Sequence, residues 1–575
     1  MKITLAQTAG FCMGVRRAVE LALDAPNQYK NPICTFGPLI HNPQVLSLLT
    51  EKGIVILSDV PDKGRGTVLI RAHGVPPETK KALKKAGFAV VDATCPRVIK
   101  VQTIIRKHAQ KGYETIIVGD QNHPEVVGLC GFADHKAHVV GGMDELKALP
   151  DFKKAIIVAQ TTQNVPFFNV VKKWVKQSHP HYKVFHTICD STEKRQAEVN
   201  QMAESVEAVV VVGGKESGNT QRLAKIAAAA GKPTYHIETE AELDAAKLMP
   251  FDDIGITAGA STPNWVIKKV YRSLEMLPVR KKKSLSGHLL KLLRALLLTN
   301  LYVAFGAGLL CYACAQLMGI KAFFPYLLIS VVYVLSMHML NNLTSRDADS
   351  YNDPERAAFY LRYKPALTAL AVAAGAVGLI TAYPLGLLPF TLLLVMSILG
   401  LSYNLRFVPE GFRAIKYRRI RDIPGSKTIL IALAWGTVTV LLPALSVFAH
   451  IGFDILIVFA WSVGMVYVRT AFFDILDMQG DRIVGKDTVP LVLGEARAYK
   501  QLQIILAILV LLLLSAGIGD MLPGLAVLLT VCPVFTLFVL RAHTRSAAFP
   551  SVRLEFLVES NFVLAGILSL LWALF

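Results

Sequence analysis

Residues 114–120 read ETIIVGD, residues 154–160 KAIIVAQ and residues 208–214 AVVVVGG. Each is a short run of β-branched and small apolar side chains without polar alternation. Such runs fit strands buried on both faces, as in a parallel sheet covered by helices. A helical pattern follows each run, so residues 1–275 read as repeated α/β units with parallel sheets. Loops at strand ends carry function in such folds. The chemically distinctive residues sit in them: Cys12 in FCMGV, His73 in RAHGV, Cys95 in DATCPRV, His123 and Glu125 in NHPEVVG, Thr161 in AQTTQ, Cys189 in ICDSTEKRQ, and Ser217 and Asn219 in GGKESGNTQRL.

The 575-residue chain is too long for one core, and its apolar residues are unevenly spread. With 53% hydrophobic residues and a mean hydropathy of +0.44, part of it belongs in a membrane. That part begins near residue 286. Nine apolar segments of about bilayer length follow, near 295–318, 322–340, 365–384, 386–404, 428–447, 452–472, 500–519, 521–541 and 555–575. The expectation is an α/β domain at 1–278, a basic linker at 279–290 and an all-α polytopic membrane domain of nine transmembrane helices at 291–575.

Every second loop is basic. VRKKK (279–283) precedes the first segment, and Arg346, Arg356, Arg362 and Lys364 follow the second. RFVPEGFRAIKYRRIR (406–421) follows the fourth, Arg482 and Lys486 the sixth, and Arg541, Arg545 and Arg553 the eighth. The positive-inside rule then puts these loops in the cytoplasm and the C-terminus outside an inner membrane. No apolar leader opens the chain, so the first half is expected in the cytoplasm with reduced cysteines. The net charge of +19 suits anionic lipid and anionic substrates. No arginine-rich tail or interleaved basic and aromatic stretch points to nucleic acid.

Cys12, Cys95 and Cys189 are spaced by 83 and 94 residues, which is not a zinc-finger spacing. Three thiolates without a fourth suggest a cluster with one open iron, which binds substrate as a Lewis acid and passes electrons. The alternative is that each is a buried small hydrophobe, the reading preferred for Cys34 and Cys130. Histidines with Ser, Thr and Asn in the same loops suit an anion such as a diphosphate.

These residues fall in GFCMGVRRAVE, GPLIHNPQV, RAHGV, VDATCPRV, HPEVVG, QTTQ, ICDSTEKRQ, ESGNT and TAGASTP, nine motifs in order. Through them residues 1–275 resemble the 4-hydroxy-3-methylbut-2-enyl diphosphate reductases, the IspH/LytB family. The resemblance implies that Cys12, Cys95 and Cys189 ligate a [4Fe–4S] cluster. It further implies that His41, His73, His123, Ser217, Asn219 and Ser261 hold the substrate diphosphate. Thr161 then lies beside the departing hydroxyl and Glu125 supplies the proton. An electron donor such as ferredoxin or flavodoxin is implied as partner. Gly218 departs from the family, which often has a second Ser there.

Two acidic loops follow even-numbered segments: NNLTSRDADSYNDPERAAF (341–359) and FFDILDMQGDRIVGKDTVPLVLG (472–494). Asp474, Asp477 and Asp481 are spaced i, i+3, i+7, which on a helix places them on one side. Like charges so placed repel unless a cation lies between them, so Mg²⁺ holding a diphosphate is the expected occupant. These loops and YNLRF (403–407) resemble the UbiA superfamily of membrane prenyltransferases over about 286–575. That resemblance implies ionisation of a prenyl diphosphate and transfer to an acceptor, with Arg356 and Lys486 steadying the diphosphate. The second acidic motif is intact. In the first, Asn341 and Asp349 match, but Asn342 and Ser345 stand where the family has Asp. An inactive membrane anchor for the reductase is the alternative.

Overall fold

In the computed structural model of the chain, residues 2–277, 285–344, 351–403, 423, 425–484, 488–546 and 552–575 are described. The chain divides into two units, Met1–Arg280 and Lys281–Phe575.

The first unit holds β1 Lys2–Leu5, β2 Ile33–Phe36, β3 Val55–Leu57, β4 Thr67–Ile70, β5 Ala89–Asp92, β6 Glu114–Val118, β7 Ala137–Val140, β8 Ala155–Ala159, β9 Lys183–Val184, β10 Ala208–Val212, β11 Thr234–Ile237 and β12 Asp253–Ala258. They form three four-stranded sheets in the orders β3-β2-β4-β5, β7-β6-β8-β9 and β11-β10-β12-β1. Every pairing is parallel. The central strands are fully covered: Ile117, Val158 and Val209 through Val212 expose nothing. The apolar runs without alternation are thus the central strands of parallel sheets.

The three sheets share one topology. Within each, the first strand lies between the second and third, and the fourth follows the third at one edge. The third sheet obeys this rule only because the chain's own first strand, β1, supplies its fourth position. β1 pairs with β12 across some 250 residues of sequence, Leu5 opposite Ile256. In each sheet the order reverses between the first and third strands, and ligands bind outside the strand ends at such switch points.

The second unit is all helical among the described residues. Its long helices include Leu301–Leu317, Phe324–Thr344, Lys364–Ala382, Phe453–Leu476, Glu495–Ile518 and Val552–Leu574. Trp435, Trp461 and Phe562 are fully buried at its core. Glycines let helices approach closely. A Cβ at Gly566 would fall 2.5 Å from Leu309 Cβ, and one at Gly464 2.8 Å from Leu509 Cδ2. The Ala- and Gly-rich helix Lys364–Ala382 packs likewise, with Gly375 and Gly378 against Ser336 and Val332 of Phe324–Thr344.

The expected nine spans are not confirmed among the described residues. Among the described residues, seven helices are each long and apolar enough to cross a membrane. An eighth exists only if Leu292–Leu298 and Leu301–Leu317 count as one span, and these meet at 77°. The bend falls at Asn300, whose φ of +57° is left-handed and stops the helix. The expected span at 386–404 is a helix of 16 residues, Leu387–Ser402. At 1.5 Å per residue it falls short of the ~30 Å apolar core of a bilayer.

Candidate functional site

The topology assigns the first unit's candidate residues to equivalent places. The loops after the three first strands, β2, β6 and β10, carry His41, His123 and Ser217 with Asn219. Those after the third strands, β4, β8 and β12, carry His73, Thr161 and Ser261. Those after the fourth strands, β5, β9 and β1, carry Cys95, Cys189 and Cys12. Each sheet thereby contributes polar residues from its first and third strands and one cysteine from its fourth.

The three histidines meet. Ring centroids lie 4.9 Å apart for His41 and His73, 5.4 Å for His73 and His123, and 6.0 Å for His41 and His123. Ser261 Oγ lies 3.1 Å from His41 O and 3.4 Å from Ser217 Oγ, which joins the third sheet's loops to this trio. Burial, then the neighbouring imidazoles and Arg71, hold His73 well below its ordinary range. Burial and His41 bring His123 down to about 4. His41 is lowered by burial and Arg71. The pocket therefore holds neutral imidazoles beside the cation Arg71. An entering anion would reverse the balance and draw protons onto them.

One ligand nitrogen from each histidine lies within 4.8 Å of the others, close enough for a single metal ion. The hydrogen bonding argues otherwise. His123 Nδ1 accepts the Glu125 N–H at 3.1 Å, so the ring's proton sits on Nε2. A protonated nitrogen donates to an anion and cannot ligate a metal. Asn219 Nδ2 and Asn42 Nδ2 are further buried donors with no partner. Asn42 caps its helix with Oδ1, on Val45 N, which leaves the amide nitrogen unused.

Beside the pocket, Glu125 is 2% exposed. It accepts from Thr161 N at 2.7 Å and from Thr161 Oγ1 at 2.8 Å. Burial raises its pKa, and the two Thr161 bonds oppose the rise. Arg222, from the helix after β10, donates to Thr162 O at 2.9 Å and Asp120 Oδ2 at 2.6 Å, tying the third sheet to the loops of the second. At Gly218 a Cβ would meet nothing nearer than 3.7 Å, so the missing side chain is not demanded by packing.

Cys12, Cys95 and Cys189 each precede a helix as its N-cap, before Met13–Gln28, Pro96–Ala109 and Asp190–Ser205. Helix N-termini favour thiolates. Burial, and after it the neighbouring thiols Cys12 and Cys189, push the Cys95 thiol up, so the three face one another electrostatically. A Cβ at Gly14 would fall 2.3 Å from Cys95 Sγ, so this glycine makes room for the sulfur. Among the described residues the three sulfurs do not converge within the 4.8 Å that a single ion requires. Spaced thiolates suit a multi-atom cluster rather than tetrahedral zinc. Cys34 is buried in β2 and Cys130 packs against an apolar core, as small hydrophobes do.

In the second unit, Asp349 and Lys486 lie outside the described residues. Asn341 and Asn342 end the helix Phe324–Thr344, and Asn342 Nδ2 is buried without a partner. The three aspartates do not share one continuous helix. Phe453–Leu476 stops at Asp477, and Met478–Val484 starts anew. Asp474 and Asp481 are 4% and 5% exposed. Thr428 Oγ1 donates to Asp474, and Asn352 Nδ2 donates to Asp481 Oδ1 at 3.0 Å. A Cβ at Gly480 would strike Asn352 Oδ1 at 1.8 Å, so the glycine permits this contact between the two acidic loops. Arg356 is ion-paired with Glu555 and reaches Asp353 at 3.6 Å. No trio of these carboxylates converges among the described residues. Oxygen donors with at most two protein carboxylates per ion suit Mg²⁺ completed by phosphate oxygens.

Sequence reasoning missed Asn42, Arg71, Arg195 and Arg222. Arg71 and Arg222 lie inside the quoted loop motifs. Nothing in spacing separates them from ordinary surface cations.

The LytB protein family model matches residues 3–275, and the UbiA prenyltransferase family model matches 277–557. The 4-hydroxy-3-methylbut-2-enyl diphosphate reductase of Geobacter sulfurreducens is 42% identical over 283 residues, 49% of this chain and 100% of that protein. That of Solidesulfovibrio magneticus is 43% identical over 284 residues, 48% of this chain and 99% of the relative. Among solved structures, the Plasmodium falciparum E-1-hydroxy-2-methyl-but-2-enyl-4-diphosphate reductase is 28% identical, covers 49% of this chain and 89% of its own, and has a TM-score of 0.46. A UbiA homolog from Archaeoglobus fulgidus bound to GPP and Mg²⁺ is 20% identical, covers 47% of this chain and 98% of its own, and has a TM-score of 0.36. Through residues 3–275 the chain belongs to the LytB reductase family, fused in one polypeptide to a UbiA prenyltransferase family domain at 277–557.

Proposed function

We propose that the first unit reductively removes the hydroxyl of 4-hydroxy-3-methylbut-2-enyl diphosphate. Two electrons and two protons enter, water leaves, and isopentenyl or dimethylallyl diphosphate results. The observation that carries this reading is the convergence of His41, His73 and His123, with a proton on the His123 nitrogen free to face an anion. In it, those histidines with Ser217, Asn219 and Ser261 donate to the diphosphate. Cys12, Cys95 and Cys189 hold a [4Fe–4S] cluster, which supplies electrons and a Lewis-acidic iron when bound. Glu125 stores a proton in its buried carboxyl for the departing oxygen, and Thr161, whose N–H and hydroxyl both donate to that carboxyl, holds it in place. The electrons come from an external carrier of the ferredoxin or flavodoxin kind. The test is turnover of that substrate by the purified chain with a reduced viologen. Absence of turnover from protein with full brown absorbance would refute the assignment.

For the second unit the reading is transfer of a prenyl group from a prenyl diphosphate to an acceptor. Asp474, Asp477 and Asp481, with Asn341 and Asp349, would hold Mg²⁺ through the diphosphate, and Arg356 and Lys486 would steady its charge. The domain limits that go with it are 1–278, a linker at 279–290 and 291–575. The unit lies in the inner membrane with the reductase and basic loops in the cytoplasm and the C-terminus outside. The fusion then co-localises two steps of isoprenoid chemistry at a membrane surface. The inactive-anchor alternative draws support from Asn342 and from the internal ties of Asp474 and Asp481. Prenylated products in membranes carrying Asp477→Ala or Asp481→Ala separate the two.

A further inference from the structure

Arg195 lies in the helix Asp190–Ser205, whose N-cap is Cys189, and it is 3% exposed. Its hydrogen-bond acceptors are all neutral. Nη2 donates to Gly10 O at 2.6 Å, Nη1 to Ala258 O at 3.0 Å, and Nε to Ser191 Oγ at 3.4 Å. Among the described residues no carboxylate stands within ion-pair distance of it. The nearby Glu198 spends its oxygens on Gln7 N, Thr8 N and Thr8 Oγ1. A buried guanidinium without a bonded anion is costly and calls for a compensating charge. Burial works against its charge, and Cys12, Glu198 and Cys189 favour it, Cys12 most. Two of the three groups that can answer this cation are thus the thiols read above as cluster ligands.

The geometry does a second thing. Gly10 precedes Cys12 by two residues, and its φ of +103° turns the loop. Arg195 grips that turn and the end of β12 together, while Glu198, one helical turn on, grips the loop's beginning. One helix therefore fixes the Cys12 loop against Cys189.

We propose that Arg195 is the fixed counter-charge of the thiolate-held cluster and the positioning residue for the Cys12 loop. Three thiolates on a dicationic iron–sulfur core leave one net negative charge, and an added electron doubles it. A cation bonded two residues from Cys12 and two residues from Cys189 favours the electron's arrival. The proposal rests on the cluster assignment. Loss of brown absorbance in Cys95→Ser tests that assignment separately.

The experiment is an EPR-monitored redox titration of the full-length chain in detergent, loaded anaerobically with iron and sulfide. Arg195→Gln and Arg195→Lys are compared with the parent at equal cluster content. Expected is at least a tenfold fall in the reduced-to-oxidised ratio at a fixed potential for Arg195→Gln, which for one electron is about 59 mV. Arg195→Lys, which keeps the charge and loses the fork, should stay within threefold. A ratio unchanged in Arg195→Gln would overturn the proposal. Where Arg195→Gln retains no cluster, Arg195→Lys decides: a ratio within threefold supports the charge role, and a tenfold fall refutes it.

Discussion

The histidine pocket of the first unit and the acidic loops of the second both bring distant motifs together, by different means. In the first unit one strand order is repeated three times, and every motif sits at the end of a first, third or fourth strand. Parallel strands end on the same side of a sheet, so a motif placed by that rule lands at the site. In the second unit no such rule operates. Asp474 and Asp481 face different partners, Thr428 and Asn352, across a break at Asp477. A repeated topology turns motif order into a site. A helix bundle does not, and there the contacts decide.

The sharpest way to break the comparison is Cys95→Ser. It should remove the brown absorbance and with it all reductase turnover, while pyrophosphate still binds. Retained absorbance would refute the reading of Cys95 as a cluster ligand. Glu125→Gln should lower turnover about 10²–10⁴-fold, the range for a lost general acid. Pyrophosphate affinity in that variant, measured by calorimetry, should stay within a few-fold. An equal loss in both would make Glu125 a binding residue. In the second unit, Asp477→Ala or Asp481→Ala should cut prenylated lipid in isolated membranes at least tenfold. Unaltered lipid would leave the unit an anchor.

A gentler test uses protons. The folded-state pKa values of His41, His73 and His123 lie below those of the unfolded chain. The unfolded state then binds more protons, so the ligand-free first unit loses stability as pH falls from ~6.5 toward the His123 value of about 4. A bound anion raises these pKa values. Pyrophosphate binding at pH 6 should therefore take up protons, read as a dependence of binding heat on buffer ionisation. No such dependence would remove the neutral imidazoles from the binding account. The smallest effect belongs to Gly218→Ser. The open space there predicts Km and turnover within about twofold of the parent.

The sequence announces the sheets through ETIIVGD, KAIIVAQ and AVVVVGG, because a strand covered on both faces leaves no room for polar residues. It announces the cysteines and histidines because those types are scarce and chemically loud. It is silent on Arg195, one arginine among many, whose significance lies in its burial and in the Gly10 and Ala258 carbonyls brought from 185 and 63 residues away. Hydropathy is also blind to local bends. It registers how apolar 295–318 is, yet not that Asn300 turns left-handed and bends the segment.

The pairing of β1 with β12 sets a clock on synthesis. β1 cannot complete its sheet until residues near Asp253, some 250 positions later, have followed it off the ribosome. At about 5–20 residues per second that is a wait on the order of tens of seconds. Of the three candidate cluster cysteines, Cys12 is thus made first and placed last. A cluster held by all three thiols, as proposed, could form on the complete set only after the third sheet closes. By then the first apolar helix of the membrane unit is next in line to emerge.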